Sequence, residues 1–245
     1  MEQSTKDIIK QCEDKGIKVL ISTGRSSFFI QNDIVNTIQS NFFVTANGGI
    51  VTDGQFNTLI KHPLNDDDLN QLIQLCDHYN FALGLKFEKA IAVYNRYDYY
   101  IDIYVNGVIH EEIIVDYTQS RDYHKKHGNP VDAFIIGDND LLQELASRMP
   151  QLQWVVAYDK AVECFNNDVS KASGIEWVLA HHGLTWDNVM AFGDSENDIP
   201  MIKSAKYGIA MGNAIDSVKA VATYTTTNCG ENGIKNAIEH FIPTI

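Results

Sequence analysis

Apolar positions recur along the first segment at helical spacing and then close up into short continuous runs. Ile8, Ile9 and Cys12 share one face, which predicts a helix over about Ser4 to Lys15, capped by Ser4 or Thr5 and ended by Gly16. Ile17-Lys18-Val19-Leu20-Ile21 is a β-branched run that reads as a strand buried on both faces, leading into Ser22-Thr23-Gly24-Arg25. A second helix is expected from there to about Thr37, and a second strand at Phe42-Phe43-Val44-Thr45, ending in Asn47-Gly48-Gly49. Helices alternating with buried strands are the pattern of a parallel sheet wrapped by helices.

After about His62-Pro63 the pattern changes. Asp66-Asp67-Asp68 opens an amphipathic helix to about Tyr79, and mixed runs follow at Phe81 to Phe87, Ala90 to Tyr94 and Tyr97 to Tyr104. Gln119 to Pro130 is polar and reads as a loop, Val131 to Ile136 as a strand and Leu141 to Met149 as a helix. Leu152 to Tyr158 and Ala161 to Phe165 read as an antiparallel pair. From Ser170 the first alternation returns, with a helix at Lys171 to His182, strands at Asn188 to Phe192 and Tyr207 to Met211, and a last helix from Glu231 to Phe241. The pattern predicts one α/β domain, residues 1–62 with 166–245, interrupted by an α+β domain at 63–165.

Composition excludes several classes of function. The 245 residues are 44% hydrophobic and carry a net charge of −13, with no basic stripe, so neither a nucleic-acid nor an anionic-membrane surface is expected. No apolar run approaches the roughly 20 residues that cross a bilayer. The polar start is unlike a signal peptide, and Cys12, Cys76, Cys164 and Cys229 are widely spaced; both features suit reduced thiols in a cytoplasmic protein.

The chemistry-bearing residues all follow the expected core strands or open the returning helix. Gly193-Asp194-Ser195-Glu196-Asn197-Asp198 lies at the carboxyl end of a buried strand, where open parallel sheets hold ligands. Asp194 offers a hard oxygen to Mg2+; Ser195 would cap the following helix, Asn197 can donate to a phosphoryl oxygen, and Asp198 can orient a neighbour. Thr23 and Gly24 can hold a phosphoryl oxygen through a hydroxyl and a closely approaching backbone N–H, and Lys171 would be a point charge aimed at it. Thr23-Gly24-Arg25 or Asn47-Gly48-Gly49 alone is equally an ordinary turn, and Asp194 to Asp198 alone an ordinary helix start. Asp66 to Asp68 is ordinary dipole complementarity. Asp138-Asn139-Asp140 follows a strand but lies inside the insertion.

Taken together, Thr23-Gly24-Arg25, Asn47-Gly48-Gly49, Asp168-Val169-Ser170-Lys171, Gly193 to Asp198 and Met211-Gly212-Asn213-Ala214 resemble the haloacid dehalogenase (HAD) superfamily. Their order, and the large insertion after Asn47, resemble its Cof-type phosphatases with an α/β (type C2) cap. The resemblance implies a Rossmann-like parallel-sheet core with an inserted α+β cap, acting as a Mg2+-dependent hydrolase of small phosphorylated metabolites such as sugar phosphates. It implies an aspartyl-phosphate route. Thr23, Gly24, Lys171 and Asn197 would contact phosphate, Asp194 with Ser195 the metal, and Arg25, Asn47 and Gly48 would line the pocket. Thr23, Lys171 and Asp198 would be the catalytic set. The family's first motif, DxDGT, does not occur here: only 22 residues precede Thr23, and no DxD is among them. The nucleophile is thus expected to be missing from this chain, through a start placed too far downstream or a truncation, and a catalytically inactive phosphate-binding module is the alternative reading.

Overall fold

The computed structural model describes residues 1–105 and 113–245, with the side chain of Tyr158 outside the description. The chain divides into two compact units: Met1–Arg25, Phe29–Leu59 and Ser170–Ile245 form one, and Ser26–Phe28 with Ile60–Val169 the other. No helix among the described residues is long and apolar enough to cross a membrane.

The discontinuous unit opens with α1 (Gln3–Asp14), which buries Thr5, Ile8, Ile9 and Cys12, one helical face. Neither expected side-chain cap is used: Glu2 is the N-cap, and Ser4 instead donates to Asn232 Oδ1 at 2.5 Å. Gly16 ends the helix at φ +79°, with its N–H on the Glu13 carbonyl and that of Ile17 on the Cys12 carbonyl, the paired bonds of a Schellman turn. The expected strand at Ile17 to Ile21 shrinks to β1 (Ile21–Ser22), because the next strand pairs only with those residues. The expected helix up to Thr37 is a single 3-10 turn, Ser27–Phe29, followed by α2 (Asn32–Thr37).

β2 (Phe42–Thr45), buried throughout, runs parallel to β1 and antiparallel to β3 (Ile50–Asp53), and β4 (Thr58–Lys61) closes a four-stranded sheet in the order β1-β2-β3-β4.

In the second unit α3 (Asp66–His78) is capped by the Asn65 side chain, with Asp66, Asp67 and Asp68 in its first turn where the helix dipole favours acids. β5 (Ala82–Lys86), β6 (Ile91–Asn95), α4 (Tyr97–Tyr104), β7 (Ile114–Asp116) and α5 (Tyr123–His127) follow. Then come β8 (Asp132–Ile136), α6 (Asn139–Arg148), β9 (Leu152–Tyr158) and β10 (Ala161–Asn166). The strands form one sheet in the order β7-β6-β5-β8-β10-β9, antiparallel except for β6 with β7. Its two faces alternate as a pleated sheet requires. Leu83, Leu85, Ala133, Ile135, Val162 and Cys164 pack in one core with Leu72 and Cys76 of α3 and Leu142 and Leu145 of α6. The opposite face carries buried charge: Lys86 is bonded to Asp132 at 3.1 Å and to Glu163. Asp138 is the N-cap of α6, accepting from the N–H groups of Asp140 and Leu141, so Asp138-Asn139-Asp140 is a helix start. The segment expected as a loop at Gln119 to Pro130 contains α5.

Returning to the first unit, the chain forms α7 (Lys171–His181), β11 (Met190–Gly193), α8 (Ile199–Ser204), β12 (Tyr207–Ala210), α9 (Asp216–Lys219), β13 (Tyr224–Thr225) and α10 (Gly233–Phe241). β11, β12 and β13 form a parallel sheet. Among the described residues no ladder joins β11 to β1. Ile8, Cys12 and Ile238 form one apolar cluster with Met190 and Phe192 of β11.

Candidate active site

The sequence-predicted residues sit on turns that follow β1, β2 and β11 and at the start of α7. Backbone bonds lock the first two turns together: Thr23 N–H donates to the Val44 carbonyl (2.9 Å), Asn47 N–H to the Thr23 carbonyl (3.1 Å) and Ala46 N–H to the Arg25 carbonyl (3.0 Å). The Thr23 hydroxyl oxygen accepts from Arg25 N–H at 3.1 Å. Ala46, Asn47 and Gly48 all adopt positive φ (48°, 55° and 100°), a costly run for non-glycine residues that concentrates at functional turns. At Gly48 only glycine fits, since a Cβ there would lie 1.9 Å from the Ser170 carbonyl oxygen.

Ser170 caps α7, accepting from Ser173 N–H at 3.0 Å, and places Lys171 in the first helical position. A lysine is unfavourable there because the dipole repels it. Lys171 is nevertheless 8% exposed, and its ammonium is bonded to Asp198 Oδ1 at 2.6 Å. Asp198, 4% exposed, accepts at Oδ2 from the N–H groups of Asp194 (2.9 Å) and Ser195 (3.1 Å). That grip needs Gly193, where a Cβ would fall 2.4 Å from Asp198 Cβ. Asp198 is therefore a hub that joins Lys171 to the turn carrying Asp194.

Asp194 is half-buried. Ser195 Oγ donates to its Oδ1 (3.2 Å) and Asn213 Nδ2 to its Oδ2 (3.0 Å), so the carboxylate is oriented by neutral donors and keeps its charge available. In the sequence Asn213 has no role beyond its place in the Met211-Gly212-Asn213-Ala214 motif; its position just past β12 puts it at the same carboxyl end of the sheet as Asp194. Asn197 Nδ2 donates to Asn47 Oδ1 (2.9 Å), linking the β11 turn to the β2 turn. The donor expected at Asn197 is thus engaged, while its Oδ1 is buried without a donor among the described residues. The structure brings Thr23, Gly24, Arg25, Asn47, Gly48, Lys171, Asp194, Ser195, Asn197 and Asp198 into one connected set. The Arg25 residue is exposed.

Among the described residues no group of three or more His, Cys, Asp or Glu converges. One carboxylate, Asp194, oriented by neutral donors does not suit zinc or calcium, which take several protein ligands. It fits Mg2+, which keeps most of its waters and uses one or two carboxylates with substrate phosphate.

Residues 1–238 match the haloacid dehalogenase-like hydrolase family. A 5-amino-6-(5-phospho-D-ribitylamino)uracil phosphatase of Bacillus subtilis is 31% identical over 237 residues, covering 96% of this chain and 86% of the relative. A phosphoglycolate phosphatase of Methanobrevibacter smithii is 26% identical, covering 98% and 90%. Among solved structures, a haloalkanoate-superfamily phosphatase from Bacteroides thetaiotaomicron superposes with a TM-score of 0.85 at 23% identity over 98% of this chain and 88% of that one. A HAD subclass IIB sugar phosphatase gives 0.84 at 24%, over 98% and 92%. The relatives are thus phosphatases, the fold is the Rossmann-like HAD core with an inserted α+β domain, and this chain belongs to the haloacid dehalogenase-like hydrolase family, in its Cof-type branch.

Proposed function

We propose that the connected set binds the phosphoryl group of a small phosphorylated metabolite with Mg2+, for hydrolysis of the monoester. The observation that carries this reading is the buried Lys171–Asp198 pair, 2.6 Å long, whose acid also holds the backbone beneath Asp194. Lys171 supplies the positive charge that a phosphoryl group requires in an otherwise acidic chain. Thr23 with Gly24 binds phosphoryl oxygens, and Asn197 reaches them by exchanging its bond to Asn47. Asp198 is a positioning residue that keeps Lys171 extended. Arg25, Asn47 and Gly48 line the pocket. Mg2+ held by Asp194, with Ser195 beside it, would neutralise charge on the phosphoryl oxygens.

In this reading residues 1–62 with 166–245 are the core and 63–165 a cap that selects the substrate. The aspartyl-phosphate route needs a nucleophilic carboxylate next to Asp194, and the connected set contains none: Asp198 is engaged by Lys171. Binding without turnover is therefore the second reading for these 245 residues. Calorimetric titration of the chain with tungstate and Mg2+, alongside p-nitrophenyl phosphate turnover, separates the cases. Saturable tungstate binding that Asp194→Asn and Lys171→Met both abolish is expected. No detectable binding would sink the phosphate reading, and turnover by this chain would show that its nucleophile lies among these residues.

A further inference from the structure

A cavity is lined wholly by residues of the second unit, which includes Ile60–Val169, and its chemistry differs from that of the phosphate set. Between β5 and β6 the chain turns through Phe87-Glu88-Lys89, and this turn faces α5 and the strand that carries Lys61. The cavity between them, about 80 Å³, is open to solvent. Its floor is apolar: Phe87 and Val131 are 5% and 1% exposed. Its wall is aromatic: Tyr123 stacks on His127 at 4.0 Å and 22°, and Phe87 lies tilted against Tyr123 at 4.7 Å and 57°. Tyr117 braces Tyr123 edge-on from behind, at 5.0 Å and 87°.

The rim carries two lysines and one glutamate, one more cation than anion, in a chain whose net charge is −13. Lys61 pairs with Glu88 at 3.4 Å, and Lys89 is exposed with no acidic partner among the described residues. The volume sets the ligand's size. An engineered apolar cavity of roughly 150 Å³ takes a benzene ring whole, so about half that space admits a ring edge or small planar group, with the remainder in the open mouth. A nucleotide is too large to enter. A bare phosphate would meet the lysines of the rim and leave the aromatic wall unfilled. A ring satisfies the stack, and an anionic substituent at the mouth satisfies Lys89.

We infer that this cavity binds a single-ring aromatic or heteroaromatic carboxylate, its ring against Tyr123 and Phe87 and its carboxylate at Lys89. The inference does not rest on the phosphate reading.

Benzoate is the probe, with cyclohexanecarboxylate as a non-planar anion, benzamide as a planar neutral and inorganic phosphate as a bare anion. Titrations followed by aromatic NMR shifts should give saturable benzoate binding with a Kd on the order of 1 mM or below, as befits a small ligand. Lys89→Glu, an exposed change, should weaken benzoate about tenfold while leaving circular dichroism and Tm unchanged. Affinity for cyclohexanecarboxylate equal to that for benzoate would overturn the stacking role. Equal affinity for benzamide, or benzoate binding untouched by Lys89→Glu, would overturn the charge role and the location. Absence of saturation at about 10 mM benzoate would overturn the inference as a whole.

Discussion

Truncating Asp198 to alanine removes more than one interaction, and the cost can be worked from its partners. The side chain is 4% exposed and serves Lys171 at 2.6 Å through one oxygen and two backbone N–H groups at 2.9 and 3.1 Å through the other. Removing one partner of a buried ion pair costs about 3–5 kcal/mol, because the remaining charge is left in a poorly solvated place. Each orphaned N–H adds about 1 kcal/mol where water cannot replace the acceptor, but these terms share one rearrangement and do not sum fully. Asp198→Ala should therefore lose about 4 kcal/mol, a large part of the roughly 5–15 kcal/mol that holds a domain folded.

Urea unfolding in a Trp154→Phe background leaves Trp177 and Trp186, both in the discontinuous unit, as fluorophores and so reports that unit alone. The double variant Lys171→Met/Asp198→Ala is the decisive control. If the stranded ammonium is the main cost, removing it should restore about 2 kcal/mol, since a buried pair replaced by apolar groups is often neutral. A single variant within about 1 kcal/mol of the parent would mean that Asp198 does not anchor the fold through Lys171 and the two N–H groups. A double variant no more stable than Asp198→Ala would mean that the stranded ammonium is not the main cost.

Gly48→Ala should cost about 3 kcal/mol and abolish tungstate binding, because φ is +100° and the new Cβ meets the backbone carbonyl of Ser170; denaturant midpoint and calorimetry check both. Burial pushes the Asp132 carboxyl up to about 7, with the Glu163 charge adding to the rise and Lys86 opposing it. The folded state then holds a proton the unfolded state has released between about pH 4 and 7. Stability of the inserted unit should fall as pH rises through that window, by at most about 1.4 kcal/mol per pH unit. Fluorescence in urea at several pH values, in a Trp177→Phe/Trp186→Phe background that leaves Trp154, should show the slope, and Asp132→Asn should flatten it. Burial raises the thiols of Cys12, Cys76 and Cys164, whereas Cys229 is exposed, so Ellman's reagent should find one fast thiol in the native chain and four in urea.

What the sequence made legible follows from which forces are local. Thr23, Asn47, Lys171 and Asp194 could be found because each lies next to a strong periodic signal, a buried strand or a capped helix, and parallel sheets collect such residues at one end. α5 escaped because Tyr123-His124-Lys125-Lys126-His127 has no apolar periodicity; its aromatic ring contacts with Phe87 and Tyr117 are non-local. The tyrosines of α4 gave no clear period, yet Tyr100 is fully buried where Gly84 leaves room, since a Cβ on Gly84 would lie 2.3 Å from its ring. Lys86, Asp132 and Glu163 fall on the alternate positions of strands whose other face is apolar, a pattern that ordinarily marks solvent.

β1 shows the opposite limit. Its β-branched run is as strong a strand signal as any here, yet only Ile21 and Ser22 form a ladder, with Phe43 and Val44. Strand propensity describes a residue's fit to a pleated surface, and the ladder itself must come from a neighbour. Asn213 makes the same point at the site. Its side chain bridges Asp194 Oδ2 and the Cys229 N–H, a role defined by two partners distant in sequence. The residues that would touch a phosphoryl group announce themselves by what precedes them. Asp198 was legible as a residue that orients a neighbour; that the neighbour is Lys171, and that Asn213 holds Asp194, is recognised only by what they touch.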